Sequence, residues 1–237
     1  MASSRPYNNK LGVVTGGSRG IGAAVAHRLA AKGCNLLLAY SSDPSTVPTE
    51  HLCKQLSLEH DIHCRCIQAD LQAPDEASRR ILQAARELFE SYDKDGIFQI
   101  DILINNAGVS SNQHLIDENQ GSIDRVEFDR VYTVNVLAPP LLTQNLVPHF
   151  PTDRSGRIVN VSSVSSSIGY QVQSVYAGSK AAIEAMTRVW SRELSQRATV
   201  NAVNAGPAWE DIFTRMVSSA CASPAFRLIA LFASKPA

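Results

Sequence analysis

The stretch Leu11-Gly12-Val13-Val14-Thr15-Gly16-Gly17-Ser18-Arg19-Gly20-Ile21-Gly22 decides the fold. Residues 11–15 form a short apolar run, a glycine-rich turn follows, and residues 21–31, rich in Ala and Leu, have the composition of a helix. A strand that enters a helix through small residues leaves the first helical N–H groups open to an anion, which the helix dipole also favours. Gly16, Gly20 and Gly22 carry the spacing that matters, with Ser18, Arg19 and Ile21 between them. Gly22 lets the helix lie close to the sheet. A plain tight turn would also use glycines, but this one is flanked by a strand and a helix. The spacing differs from G-x-G-x-x-G, and no G-x-x-x-x-G-K-[ST] is present, so a dinucleotide fits better than a nucleoside triphosphate.

The same alternation continues outward. Residues 34–40 are a second apolar run beginning after Gly33, a fitting helix C-cap, and 41–48 are turn-like. A short helix over 50–59 and a strand over 63–68 follow. Residues 75–92 place Ile81, Leu82, Ala85, Leu88 and Phe89 on one helical face. Strands are predicted at 100–104, 157–161 and 199–203, and a long helix at 175–194. A helix from about Asp124 to Leu146 meets Pro139 and Pro140, which imply a bend or a break. Strands alternating with helices call for an α/β fold, a doubly wound, mostly parallel sheet with right-handed crossovers. No linker or internal repeat divides the chain, so residues 1–237 read as one domain.

Composition narrows the partners. Lys plus Arg and Asp plus Glu both count 22 in 237 residues, a balance that gives no support to nucleic-acid binding. No apolar stretch approaches a membrane span, and residues 1–10 lack the apolar core of a secretory signal, so a cytoplasmic protein is expected. Five cysteines make no disulfide framework. Cys64 and Cys66 share a face of the third strand and read as a buried reduced pair, and no metal site is expected.

The second strand ends Leu38-Ala39-Tyr40-Ser41-Ser42, and the first acid, Asp43, falls beyond the expected contact position. An acid at that strand end bonds the ribose 2′-hydroxyl of NAD, whereas its absence beside an Arg accommodates a 2′-phosphate. Tyr40 and Ser41 at the strand end, with Arg19 in the turn, therefore point to NADP(H), although a solvated surface Arg is the plainer reading of Arg19. Asp70, followed by Leu71 after the third strand, suits an adenine amino group, a helix N-cap or a surface turn.

Tyr176-Ala177-Gly178-Ser179-Lys180 places a phenol and an ammonium at i and i+4 on one helical face. An adjacent Lys would lower a phenol pKa otherwise near ~10 and permit proton transfer near neutrality. An exposed helix pair has the same spacing. Ser162-Ser163 at the carboxyl end of a strand brings hydroxyls to the edge where open α/β sheets bind ligands.

Taken together, the chain resembles the short-chain dehydrogenase/reductase family over residues 10–206. Residues 15–22 match TGxxxGxG, Asn105-Asn106-Ala107-Gly108 match NNAG, Asn135 precedes the Ser strand, and Ser163 stands 13 residues before Tyr176 of Y-x-x-x-K. The resemblance implies a Rossmann-like sheet in the order 3-2-1-4-5-6-7, assembly as dimers or tetramers, and reduction of a small-molecule carbonyl (or oxidation of the alcohol) with NADP(H). It implies Tyr176 as general acid, Ser163 as hydrogen-bond donor to the substrate oxygen, and Lys180 on the nicotinamide ribose and depressing the phenol. Asn135 would hold a relay water in a distorted helix, while Asn106, Ala107 and Gly108 would wall the adenosine and ribose site.

Two features depart from the family pattern. Gly206 matches its Pro-Gly pair, but Ala205 replaces the Pro and Glu210 stands near the usual Thr. The C-terminal region reads as shortened: a compressed lid at 209–224, a last helix at 228–234, and no seventh strand, leaving the sixth as an edge. Two alternatives to a reductase follow, a non-catalytic NADP(H)-binding protein and an NAD(P)-using epimerase or dehydratase.

Overall fold

The computed structural model describes residues 5–116 and 122–206. Six strands, β1 (Leu11–Thr15), β2 (Asn35–Tyr40), β3 (Cys64–Gln68), β4 (Ile102–Asn105), β5 (Gly156–Ser163) and β6 (Ala198–Ala205), form one sheet. All pair in parallel, in the order β3-β2-β1-β4-β5-β6. The strand order anticipated from the sequence is therefore present. What lies beyond Gly206, including the expected lid, last helix and seventh-strand question, falls outside the described residues.

β1 and β2 are buried along their whole length, which is why they read as unbroken apolar runs rather than alternating ones. Two cores cover the two faces. On one side α1 (Gly20–Ala30) and α2 (Thr46–His60) bring Ala26, Leu52 and Leu56 against Val14, Leu36 and Ile104. On the other, α3 (Pro74–Tyr92) brings Ile81 and Leu88 against Leu37 and Leu103. α4 (Arg125–Tyr132) leads into α5 (Ala138–Leu146) on that side, where Leu142 and Leu146 join the same core. The four-residue α6 (Ser165–Ile168) follows β5, and α7 (Ser174–Glu193) then leads to β6. Among the described residues no helix is long and apolar enough to cross a membrane.

Three expectations change. α2 starts at Thr46, inside the stretch read as a turn, with a 3-10 turn at Asp43–Ser45 before it. Pro48 sits in its first turn, where a missing N–H costs nothing. Pro139 and Pro140 do not break the helix. They open α5, directly after a π turn at Thr133–Leu137. Cys64 and Cys66 are half-buried on the edge strand, beside the buried Cys53, rather than a fully buried pair.

A polar thread crosses the second core. Asn105 Nδ2 donates to Thr143 Oγ1 at 3.3 Å and to Asn160 Oδ1 at 2.8 Å. Asn160 Nδ2 donates to Thr187 Oγ1 at 2.8 Å. The thread ties β4 and β5 to α5 and α7 one step before the residues that reach the site, which fixes the register there.

Candidate active site

A cavity of about 370 Å³ runs along the carboxyl ends of the strands, from the turn after β1 to α7. Ligands of open α/β sheets bind at this edge because the β–α turns and helix N-termini gather there.

At one end Gly16, Ser18, Arg19 and Ile21 line the wall. Gly16 has φ +63°, and a Cβ on Gly22 would stand 2.1 Å from Gly16 O, so both positions require glycine. Gly20 and Gly22 shape the turn from behind the wall. The Arg19 N-cap makes no side-chain capping bond, and the first turn of α1 holds no acid, so its N–H groups stay available to an anion. The turn is clamped from β4: Asn106 Nδ2 donates to Thr15 O at 2.9 Å and Gly16 O at 3.1 Å. Thr15 Oγ1 accepts from Asn106 N and Ala107 N, both at 3.0 Å. Asn106, Ala107 and Gly108 thus wall the cavity as expected, with the Asn106 amide committed to the glycine turn.

Farther along, Tyr40, Ser41, Asp70 and Leu71 line the cavity. Asp43 does not; its carboxylate accepts from Gln68 Nε2 at 2.8 Å. Asp70 Oδ1 accepts from Gln72 N at 3.0 Å in a turn, and α3 is capped at Ala73, so Asp70 is not its N-cap. Arg130 also reaches the wall, a placement that sequence reasoning missed. Its guanidinium donates twice to Glu127, both at 2.7 Å, and once to Ser110 O at 2.8 Å. The Glu127–Arg130 spacing was legible, but not that Arg130 reaches the cavity.

At the other end stand Ser163, Tyr176 and Lys180, with Gly206 at the rim. The Ser163 hydroxyl lies close enough to the Tyr176 phenol to favour its charged form. The phenol nevertheless lies above its ordinary pKa, because burial disfavours phenolate more than Ser163 favours it. The expected lowering by Lys180 is absent: Nζ sits 5.9 Å above the ring centroid and donates to Val161 O at 2.8 Å. Burial pushes Lys180 itself down to about 8. Ser162 turns away from Tyr176, its Oγ 2.6 Å from Glu184 Oε1 and 3.2 Å from Lys180 O.

Asn135 lies in the π turn and is buried just behind this wall. Both ends of its side chain are engaged: Nδ2 donates to Val109 O at 2.8 Å and Ser179 Oγ at 3.0 Å, and Oδ1 accepts from Val109 N at 2.9 Å. The backbone carbonyl is different. Its α-helical donor would be residue 139 and its π-helical donor residue 140, both prolines without N–H. The Ala138 N–H is taken by Thr133 O. The Asn135 backbone carbonyl therefore has no helical N–H to accept from and is available to a water.

Away from the cavity, the donor atoms of His27, Glu59 and His60 lie within 4.8 Å of one another on α1 and α2, a grouping that sequence spacing did not reveal. Glu210 and the departures around it fall outside the described residues.

Comparison with known proteins agrees with this geometry. The family model for short chain dehydrogenases matches residues 10–220. The L-xylo-3-hexulose reductase of Hypocrea jecorina is 61% identical over 213 residues, covering 89% of this chain and 70% of that protein. The L-xylulose reductase of Aspergillus niger is 53% identical over 212 residues, covering 89% and 71%. A blue fluorescent protein from a metagenomic library, solved in complex with NADPH, superposes with a TM-score of 0.74 at 32% identity, covering 89% and 82%. A glycine turn clamped by Asn106, a Ser–Tyr–Lys group at the far end of one cavity, and a family match across the described sheet place this chain in the short-chain dehydrogenase family, as an oxidoreductase.

Proposed function

We propose that this chain is a single-domain, NADPH-dependent reductase that converts the ketone of a small, neutral, polyhydroxylated substrate, a ketose, to the alcohol. The observation that carries the reading is the alignment along one cavity of an uncapped helix N-terminus, a β2 end at Tyr40 and Ser41 that carries no acid, and the Ser163–Tyr176–Lys180 group. The two sugar reductases at 61% and 53% identity support the substrate class, and the NADPH complex of a structural relative supports the cofactor.

The cavity suits the cofactor. Gly16 and the N–H groups at the start of α1 would hold the pyrophosphate, and Arg19, on the same cavity wall as Tyr40 and Ser41, would take the 2′-phosphate. Bound NADPH supplies the hydride that reduces the carbonyl carbon. Tyr176 donates its proton to the carbonyl oxygen as negative charge develops there, and Ser163 donates a hydrogen bond to the same oxygen. A phenol held protonated by burial suits the acid role in this direction. Lys180, anchored on Val161 O, has two further N–H groups for ribose hydroxyls and for returning a proton to Tyr176. Val126, Phe128 and Val189, exposed on α4 and α7, support assembly as a homodimer or homotetramer.

The test is NADPH oxidation followed by absorbance with a panel of ketoses that includes L-xylulose and L-xylo-3-hexulose. Turnover should fall ~10²–10⁴-fold in Tyr176→Phe, with NADPH affinity retained. Tight NADPH binding without turnover of any ketone would overturn the reductase reading in favour of a nucleotide-binding protein or an NAD(P)-using epimerase or dehydratase.

A further inference from the structure

Glu184 stands one helical turn after Lys180 on α7, outside the wall of the cavity, yet its carboxylate gathers the chain around Ser163. Its Oε1 lies 2.6 Å from Ser162 Oγ and 2.6 Å from Ser166 Oγ, the length of charge-assisted O–H···O⁻ bonds. Asn204 of β6 stands opposite Ser162 in the sheet. One side chain therefore ties the end of β5 and the first turn of α6 to the helix that carries Tyr176 and Lys180.

Ser163 sits inside that knot. Its own oxygen atoms are occupied locally: Ser165 N donates to Ser163 Oγ at 3.2 Å, and Ser166 Oγ lies 2.7 Å from Ser163 O. A four-residue helix has almost no stability of its own, so where α6 sits depends on such ties. Each serine hydroxyl has one proton and two acceptors in reach, and the carboxylate is the stronger acceptor for both. If the carboxylate is removed, Ser162 turns wholly to Lys180 O and Ser166 wholly to Ser163 O, which shifts the backbone that aims Ser163 at Tyr176.

We infer that Glu184 is a positioning residue: acting through Ser162 and Ser166, it holds the Ser163 hydroxyl against Tyr176. This rests on the proposed reductase reading for its kinetic consequence, but the placement of Ser163 beside Tyr176 on the cavity wall can be measured without turnover.

The experiment uses the full chain labelled with ¹³Cζ-tyrosine. Tyr176→Phe identifies the Tyr176 resonance, and Ser163→Ala gives its position without the Ser163 hydroxyl. Glu184→Ala should move the resonance at least half-way to the Ser163→Ala position, while Glu184→Gln, which keeps an acceptor, should move it less than a quarter of the way. With a ketose that turns over, Glu184→Ala should lower kcat ~10–100-fold, as small misplacements of a reacting group do, with KM and NADPH affinity within two-fold and Gln restoring most of the rate. The Ser162→Ala/Ser166→Ala double variant, which retains Glu184, should show the same shift and carries the test if Glu184→Ala fails to fold. A Glu184→Ala protein that melts earlier but keeps the wild-type resonance and kcat would overturn the inference. If no ketose turns over and the resonance still moves as described, the reductase reading falls and this one stands.

Discussion

A methyl group at Gly22 tests the nucleotide end of the cavity most directly. In Gly22→Ala the new Cβ would lie 2.1 Å from Gly16 O and 2.6 Å from Asn106 Nδ2. Neither neighbour can retreat alone. Gly16 is fixed by its φ of +63° and by Asn106, and Gly17 N is held by Ala39 O at 3.0 Å. Either α1 lifts from the sheet or Asn106 releases Thr15 O and Gly16 O. Two lost hydrogen bonds cost ~1 kcal/mol each, and overpacking adds ~1–3 kcal/mol. The better helix propensity of Ala returns up to ~1 kcal/mol. The net is a loss of about 2–4 kcal/mol, or a fall in Tm of roughly 4–16 °C for a chain of this size. NADPH should also bind on the order of 10–100-fold more weakly, the equivalent of one charge-assisted hydrogen bond to phosphate. Thermal denaturation and a fluorescence titration of NADPH measure the two effects. Gly178→Ala is the control, since its Cβ meets only Tyr132 Oη, the movable end of a side chain, at 2.9 Å. A Gly22→Ala protein that melts with the wild type and binds NADPH within two-fold would refute the clamp.

Three further outcomes are expected. Arg19→Ala should weaken NADPH more than NADH, by roughly ten-fold or more, in paired titrations; equal weakening of both would remove Arg19 as the discriminator. Lys180 gives a signed pH effect: its folded pKa is about 8 against an ordinary 10.5, so between these values the unfolded chain holds more protons, and raising the pH stabilises the fold. The gain is at most about 3 kcal/mol between pH 8 and 10.5, and urea midpoints across that range should lose this rise in Lys180→Met; parallel slopes would contradict the burial argument. Pro139→Ala/Pro140→Ala supplies N–H groups to the Asn135 carbonyl, so the new amides should be protected in hydrogen exchange and ketose turnover should fall while stability holds or rises. Fast exchange at both positions would mean the carbonyl had no need of them.

Most of the sheet was legible because its strands are buried on both faces. Leu11–Thr15 and Asn35–Tyr40 read as apolar runs for that reason, and the glycine turn between strand and helix gave the edge where ligands bind. The start of α2 was lost because Pro44 and Pro48 carry turn composition wherever they stand, and only the backbone distinguishes a turn from a first helical turn. The half-buried state of Cys64 and Cys66 depends on β3 being an edge, a fact of strand order that local alternation does not contain. Tyr176 and Lys180 were found from their i, i+4 spacing, but the spacing does not say where a flexible ammonium goes. Val161 O holds Nζ at 2.8 Å, with the Tyr176 ring centroid 5.9 Å away, and burial then sets the direction of both titrations.

The doubled residues at the strand ends show how much one step of register decides. Side chains alternate across a strand, so two identical neighbours must face opposite ways. In Asn105-Asn106, the first turns inward to Thr143 and Asn160 and locks the core, while the second, just past the strand, clamps the glycine turn. In Ser162-Ser163 the first reaches Glu184 on α7 and the second meets Tyr176. β4 and β5 pair Asn105 with Asn160, so one register fixes both doublets at once. The residue that faces the protein holds the frame, and its neighbour one step later acts on the cavity. A doublet is thus a cheap way for a strand to join support to chemistry, and it explains why replacing the inward member, although it touches no ligand, should disturb the site through the partner beside it.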